Sequence, residues 1–292
     1  MAGASETDAA RDSKFGHQQQ VDAHFDAKSR YWKDLYEEDT LFGVIHQQRK
    51  QLALQWLDEC RLPKGSRVLD VGCGAGVLAV ELARRGHVVD GIDASHAMIE
   101  QASQVLGDAG VAHNVHVQVG DAHDLPFATA SYDFVVSLGV LPYVHTPTRA
   151  LSEMARVVKP DGYVLLSSDN AFRLNHLLDP RYNPVFLPLR QAVKHVLMRM
   201  GYRPRGVPSR RLSFRHLRRL MSQAGLSVVN YQTLGFGPFS LLGRRLLPDR
   251  VGLKLHRSLQ KAADRGAPIL RSTGTQQLVL ARRLQETRNQ AR

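Results

Sequence analysis

Apolar and polar positions change their period along the 292 residues, and the changes divide the chain. Over residues 21–57 apolar positions recur at helical spacing. Phe25, Tyr31, Trp32, Leu35 and Tyr36 form an aromatic-rich stretch. Residues 41–57 form a second helix, with Ile45, Leu52, Leu54, Trp56 and Leu57 mostly on one face. After the turn Pro63-Lys64-Gly65-Ser66, short apolar runs alternate with helical segments. The runs at 67–71, 88–92, 115–119, 132–137 and 163–168 predict five strands. Helices are expected over 77–85, ended by Gly86, from a cap at Ser95 to 106, and over 146–158 with Pro147 in the first turn. Lys159-Pro160-Asp161-Gly162 reads as a tight turn. Beyond Asp169 the rhythm breaks. Residues 171–211 are an insertion rich in Arg, Pro and Tyr, with one helix expected over 187–200. A helix capped by Ser213 follows over 213–225, then a sixth strand over 226–231. A second insertion, irregular or helical, fills 235–274 before a last strand over 276–281. The pattern predicts an α/β, Rossmann-like, doubly wound fold. Its seven-stranded sheet is mostly parallel, with helices on both faces. Residues 1–19 are small and polar without period and read as a disordered tail, leaving 20–292 as a single domain.

Composition adds little until charge is mapped. Hydrophobic content of 43% and charged content of 23% are ordinary for a soluble globular chain. The two cysteines, Cys60 and Cys73, fall at a helix end and in a loop, which fits a reducing compartment without a structural disulfide. The N-terminus has no apolar signal core. The run 134–144 is broken by Ser137, Gly139 and Pro142 and is too short to span a bilayer, so a cytoplasmic location is expected. The net charge of +12 is concentrated: residues 171–265 carry 19 Lys and Arg against three acids, or +16, leaving −4 elsewhere. That means an anionic partner surface or a solvated face.

Candidate chemistry begins at Val68-Leu69-Asp70-Val71-Gly72-Cys73-Gly74-Ala75-Gly76. A strand, a loop with glycine at every second position and a helix make a nucleotide-binding turn. Gly72, Gly74 and Gly76 let backbone approach a ligand, and Cys73 reads as a small residue whose backbone lines the site. A pyrophosphate would sit on this loop and helix N-terminus, but the Asp70 carboxylate would repel it. An ammonium-bearing ligand without phosphate suits the loop, and S-adenosylmethionine is one. Asp93 ends strand two, where a carboxylate accepts from ribose hydroxyls, with Ala94 beside it. Its rival, Asp90, sits mid-strand. Asp121-Ala122 follows strand three, with Asp124 as the neighbouring acid. Ser137-Leu138-Gly139 follows strand four on the ligand side of the sheet. Tyr143 and His145 are the nearest groups for orienting or deprotonating an acceptor. Other histidines in reach of that role are His24, His176, His195 and His216. No metal-ligand cluster, catalytic triad or Walker lysine is present in the sequence.

The stretch VLDVGCGAG resembles the first motif of the class I S-adenosylmethionine-dependent methyltransferases. The likeness is firm over 67–168 and extends to SFRHLRRLMSQAGLSVV. The resemblance implies S-adenosyl-L-methionine as cofactor and S-adenosyl-L-homocysteine as product. It implies that Asp121 reaches the adenine amino group, that the Ala122 N–H meets a ring nitrogen, and that backbone at Ser137 and Leu138 holds the methionine end. It also implies a helical lid over 20–62, a cofactor-binding core over 63–170, acceptor-side insertions over 171–212 and 235–274, and a final strand hairpin at the sheet's end. The pattern VDAHFDAKSRYWKDLY is similar to the lid of enzymes that O-methylate quinone precursors and magnesium-protoporphyrin.

The insertions are basic yet carry Phe186, Leu187, Leu189, Leu197, Met198, Phe236, Phe239, Leu241, Leu242, Leu246 and Leu247. That mixture suits an anionic amphiphile or peripheral contact with an anionic membrane surface, at the inner face of a membrane. The leading expectation is methyl transfer to oxygen of a small-molecule or lipid-like acceptor. An RNA methyltransferase is the alternative, disfavoured because no RNA-binding module or NPPY-type tetrapeptide is present. A non-catalytic binding protein is the third reading, against which Asp70, Asp93 and Asp121 argue.

Overall fold

The computed structural model describes residues 21, 23, 25–27, 29–200, 209–242 and 244–285. The expected tail at 1–19, and His24, lie outside these residues. The strands are β1 (Arg67–Val71), β2 (Val88–Asp93), β3 (Val115–Val119), β4 (Tyr132–Ser137), β5 (Val158–Asn170), β6 (Arg211–Leu212), β7 (Leu226–Leu234), β8 (Ser240–Leu241), β9 (Arg244–Arg245) and β10 (Gln276–Arg283). The helices are α1 (Ser29–Asp34), α2 (Leu41–Glu59), α3 (Val77–Arg84), α4 (His96–Asp108), α5 (Pro147–Val157), α6 (Leu174–Leu178), α7 (Leu187–Arg199), α8 (Phe214–Gln223) and α9 (Asp249–Asp264).

Among the described residues the main sheet runs β3-β2-β1-β4-β5-β10-β7, with β6 paired to β5. β1 to β5 pair in parallel, and β10 runs antiparallel between β5 and β7. The expected terminal hairpin is therefore present, though its two strands are separated by a long insertion. The central strands β1 and β4 are mostly apolar because both faces of the sheet are covered there, whereas the edge strand β3 has no buried residue. Successive side chains point to opposite faces. Leu69, Val71 and Val135 pack with Leu151 and Met154 of α5 and Leu217 and Met221 of α8. Val68, Phe134 and Val136 pack with Ile45 and Leu57 of α2 and Leu78 and Leu82 of α3. Fully burying one such side chain is worth about 1.5–3 kcal/mol. The caps add about 1 kcal/mol each: Ser95 accepts from Met98 N–H at 3.1 Å and Ser213 from His216 N–H at 3.2 Å. Burial therefore dominates, and the caps set where the helices begin.

The sheet has one strand more than expected. β5 begins at Val158 rather than Tyr163. The expected turn lies inside it as an irregularity, with Asp161 at φ 64° and the β4 register jumping from Tyr132↔Val158 to Phe134↔Tyr163. β5 also outruns β4, whose last pair is Ser137↔Leu166. The edge left at Asp169 and Asn170 is closed by β6, as an unpaired edge requires. Two residues carry no periodic signal, so this strand could not be read from the sequence.

Candidate active site

The chain walks outward from β1 to β3 on one side and from β4 to β5 on the other. A crevice opens at the strand C-termini where the order reverses. A cavity of about 310 Å³ occupies it.

The glycine loop forms its floor. Gly72 and Cys73 donate to the Ile92 carbonyl at 2.7 and 2.9 Å, which pins the loop over β2. Gly72 has φ +75°, and a Cβ there would lie 2.0 Å from Val140. Gly74 has φ +53° and nothing within 4 Å of where its Cβ would stand. Backbone at Gly74 is thus open to a ligand. Gly76, at φ 76°, starts α3 and lies off the lining.

Two buried charges line the cavity. Asp70, 2% exposed, has no partner for Oδ2. Burial, and then the Asp93 charge, push its carboxyl up to about 7. Arg49 of α2, 4% exposed, donates to the Tyr36 hydroxyl at 3.2 Å, and its Nε has no partner. Its guanidinium lies against Gly139, where a Cβ would meet Nη1 at 3.1 Å. An unsatisfied buried ion costs several kcal/mol, and Asp70 and Arg49 do not pair with each other. A ligand that carries both an ammonium and a carboxylate would satisfy the two at once. The donor and acceptor set therefore fits the amino-acid end of S-adenosylmethionine.

Acids continue along the strand tips. Asp93 accepts from Gly74 N–H at 2.9 Å and from Ser95 N–H at 3.0 Å. These bonds orient the Asp93 carboxylate at the cavity wall. Ala94 lines the cavity beside it. Asp90 is elsewhere, bonded to Arg67 and to the Tyr132 hydroxyl, each at 2.9 Å. Asp121 lines the adjoining wall with Ala122 and His123. The His123 ring at 2.6 Å and its N–H at 2.8 Å hold the Asp121 carboxyl below the usual range. Because His123 Nε2 accepts from Thr146 N–H at 3.2 Å, the ring proton sits on Nδ1. Leu138 lines the cavity; Ser137 is buried off it.

The two candidates after β4 diverge. Tyr143 lines the cavity and packs edge-on against Phe25 at 5.1 Å, with Phe25 in turn 5.6 Å from Trp32. Burial, and then Asp169, raise its phenol above the ordinary value. His145 is off the lining, stacked on His123 at 3.7 Å and bonded to Thr146 Oγ1 at 2.8 Å. His176, His195 and His216 are also off it. The far wall holds Asp169, ion-paired with Arg173 at 3.1 Å, with Asn175 and Gln276 beside them.

Arg49 and His123 were not anticipated. Arg49 left a signal: positions 41, 45, 49, 53 and 57 form one buried i+4 stripe, apolar everywhere but there. A charge in such a stripe marks a site. His123 left none, since a histidine two residues after an acid is commonplace.

A family model described as "Methyltransferase domain" matches residues 69–166. A protein named ubiquinone biosynthesis O-methyltransferase from Paracidovorax citrulli is 34% identical over 148 residues, 51% of this chain and 60% of that one. One of the same name from Thiobacillus denitrificans is 33% identical over 175 residues, 60% of this chain and 68% of that one. The match thus spans less than two thirds of the first relative's length. Among solved structures, magnesium protoporphyrin IX methyltransferase from Synechocystis PCC 6803 with bound SAH superposes with a TM-score of 0.61. It is 19% identical, covering 91% of this chain and 99% of that one, which speaks for the fold.

Proposed function

The chain belongs to the class I S-adenosylmethionine-dependent methyltransferases, and on that premise we propose that it transfers a methyl group to an oxygen of a small, amphiphilic acceptor. The observation that carries the reading is one cavity with a charged half and an aromatic half. Arg49 would hold the cofactor's carboxylate, Asp70 its ammonium, Asp93 the ribose hydroxyls, and Asp121 and the Ala122 N–H the adenine edge. Cys73, Gly74 and Leu138 backbone would line its methionine end. Bound there, the cofactor supplies an electrophilic methyl group on a sulfonium and leaves as S-adenosyl-L-homocysteine.

The protein's own work is alignment and exclusion of water, which lower much of such a barrier. Phe25, Trp32 and Tyr143 roof the cavity, so the segment 20–62 acts as a helical lid. Tyr143, with its phenol raised, stays protonated and donates to the acceptor oxygen rather than taking its proton. Outside the groups given to the cofactor and its adenine wall, two cavity-lining groups could take that proton, His46 and Asp169. Burial, and then Arg49, drive His46 down to about 3, which leaves a weak base. Asp169, oriented by Arg173, takes the role. His145 acts through His123, as a positioning residue for the adenine wall.

The insertions 171–212 and 235–274 would serve the acceptor and a membrane surface. No described side chain of α7 is buried, and Val193, Val196 and Met198 are each at least half exposed. Val185 and Met200, at 78% and 77%, flank it. Arg190 and Arg199 share the helix. Among the described residues no helix is long and apolar enough to cross a membrane, so contact would be peripheral, at an anionic inner face.

Purified protein with methyl-labelled cofactor and a fractionated lipid extract tests the reading. Label should enter an organic-soluble phenol or alcohol as an ether and, at limiting cofactor, fall by about thirtyfold in Asp93→Ala. Label in RNA, or on nitrogen or carbon, would refute oxygen transfer to a small acceptor.

A further inference from the structure

Three guanidinium groups converge behind the far wall of the cavity. Arg173 precedes α6, lines the cavity and pairs with Asp169. Arg211 of β6 brings Nη1 to 3.4 Å from His176 Nδ1 and stands 5.8 Å over the Tyr182 ring. Tyr182 and His176 stack at 4.4 Å and 12°. Arg190 of α7 is close enough for its charge to act on both His176 and Arg211. The other acid here, Asp179, is fully buried and takes up bonds from Arg181 N–H and Leu242 N–H at 2.9 and 3.2 Å. Among the described residues, Arg190 and Arg211 form no close ion pair: Asp169 faces Arg211 across the β5–β6 pairing and acts on it by charge, but is itself paired with Arg173, and Arg190 donates to the Arg181 carbonyl.

This crowding has a chemical consequence. Burial, then Arg173 and Arg211, drive His176 down to about 3, so the imidazole is neutral between the guanidiniums. Burial, and then Arg173, pull Arg211 below its ordinary value. The guanidiniums of Arg190 and Arg211 are each more favourable beside an anion. Exposure grades outward: His176 is 7% exposed, whereas Arg211 is only partly buried and reaches solvent. A ligand can therefore enter from outside and be gripped by a planar fork that suits oxyanions.

We propose that Arg190 and Arg211, backed by His176 and Tyr182, form an oxyanion site on the acceptor side of the cavity, which holds a carboxylate or phosphate of the acceptor while its hydroxylated part passes Arg173 towards the cofactor. The proposal rests on the O-methyltransferase reading. It adds that the acceptor is an acid. The same oxyanion chemistry is offered by a phospholipid headgroup, and the test separates the two sources.

The full chain, saturated with S-adenosylhomocysteine, is titrated with 4-hydroxybenzoate and with its neutral methyl ester. The acid should bind about tenfold tighter, inorganic phosphate should compete, and the preference should vanish in Arg211→Gln and return in Arg211→Lys. The same variants are sedimented with phosphatidylglycerol vesicles. If Arg211→Gln releases the vesicles and leaves the hydroxybenzoate preference intact, the anion is a lipid headgroup and the acceptor assignment is overturned. If neither changes, the site itself is overturned. Arg211→Gln should unfold at the wild-type temperature and bind S-adenosylhomocysteine as tightly as wild type, which excludes misfolding. Failure of the wild-type chain to bind S-adenosylhomocysteine would strike the methyltransferase reading instead.

Discussion

Asp70 sits between two demands. Its place on β1 buries it, which favours the neutral acid, while a ligand ammonium favours the carboxylate. With the carboxyl raised to about 7, the sign follows. Above pH 7 the ionised form is ready for the ammonium. Below it a proton must be removed first, so cofactor affinity should fall by up to about tenfold per pH unit. Calorimetry from pH 8 to pH 5.5 checks this, and Asp70→Asn should flatten the slope as well as weaken binding. An unchanged slope in that variant would assign the titration to another group. Arg49→Met removes the opposite charge and should cost about 1.5–3 kcal/mol of cofactor binding, read in the same titration; wild-type affinity would leave Arg49 without a role. The acids were legible because each ends a short apolar run, where local pattern and ligand geometry coincide. Arg49 was legible only as a break in an apolar stripe, and its partner cavity was not legible, because a helix 21 residues upstream of Asp70 meets β4 only through the tertiary fold.

Among the elements, α9 was open to the sequence as a helix but its docking was not. The segment 235–274, expected to be irregular or helical, is helical over Asp249–Asp264 and folds back over α2. His256, fully buried, makes the join: its Nδ1 accepts from Phe236 N–H at 3.1 Å and its Nε2–H donates to Gln48 at 2.9 Å. Protonation would cost the first bond, and burial, then Arg257, drive His256 down to about 4. A neutral histidine of this kind stabilises fully above its unfolded value of about 6.5 and loses that contribution as pH falls towards 4. The stability gap between wild type and His256→Gln, from urea unfolding, should therefore be about 1–3 kcal/mol at pH 7 and shrink by pH 4.5. A gap independent of pH would contradict the assignment. The core strands, by contrast, were readable because burial at the centre of the sheet makes them short and mostly apolar, as in β1 and β4. β6 was not, since its place depends on β5 outrunning β4.

For the whole molecule, the separation of charge is the dominant fact. The −4 remainder includes the acids of the cofactor wall, and the +16 segment carries the exposed apolar side chains of α7 and its neighbours. The protein should co-sediment with phosphatidylglycerol vesicles and not with phosphatidylcholine. Raising salt from about 0.1 to 1 M, which shortens the screening length from about 10 to 3 Å, should release it. Equal binding to both vesicles would reduce the basic face to a solvated one. Everything proposed here depends on the adenosylmethionine site, which titration of S-adenosylhomocysteine into wild type and Asp93→Ala probes. Wild type should bind saturably and one to one, and the variant more weakly by about 2 kcal/mol. No binding to wild type, or equal affinity in the two, would contradict it.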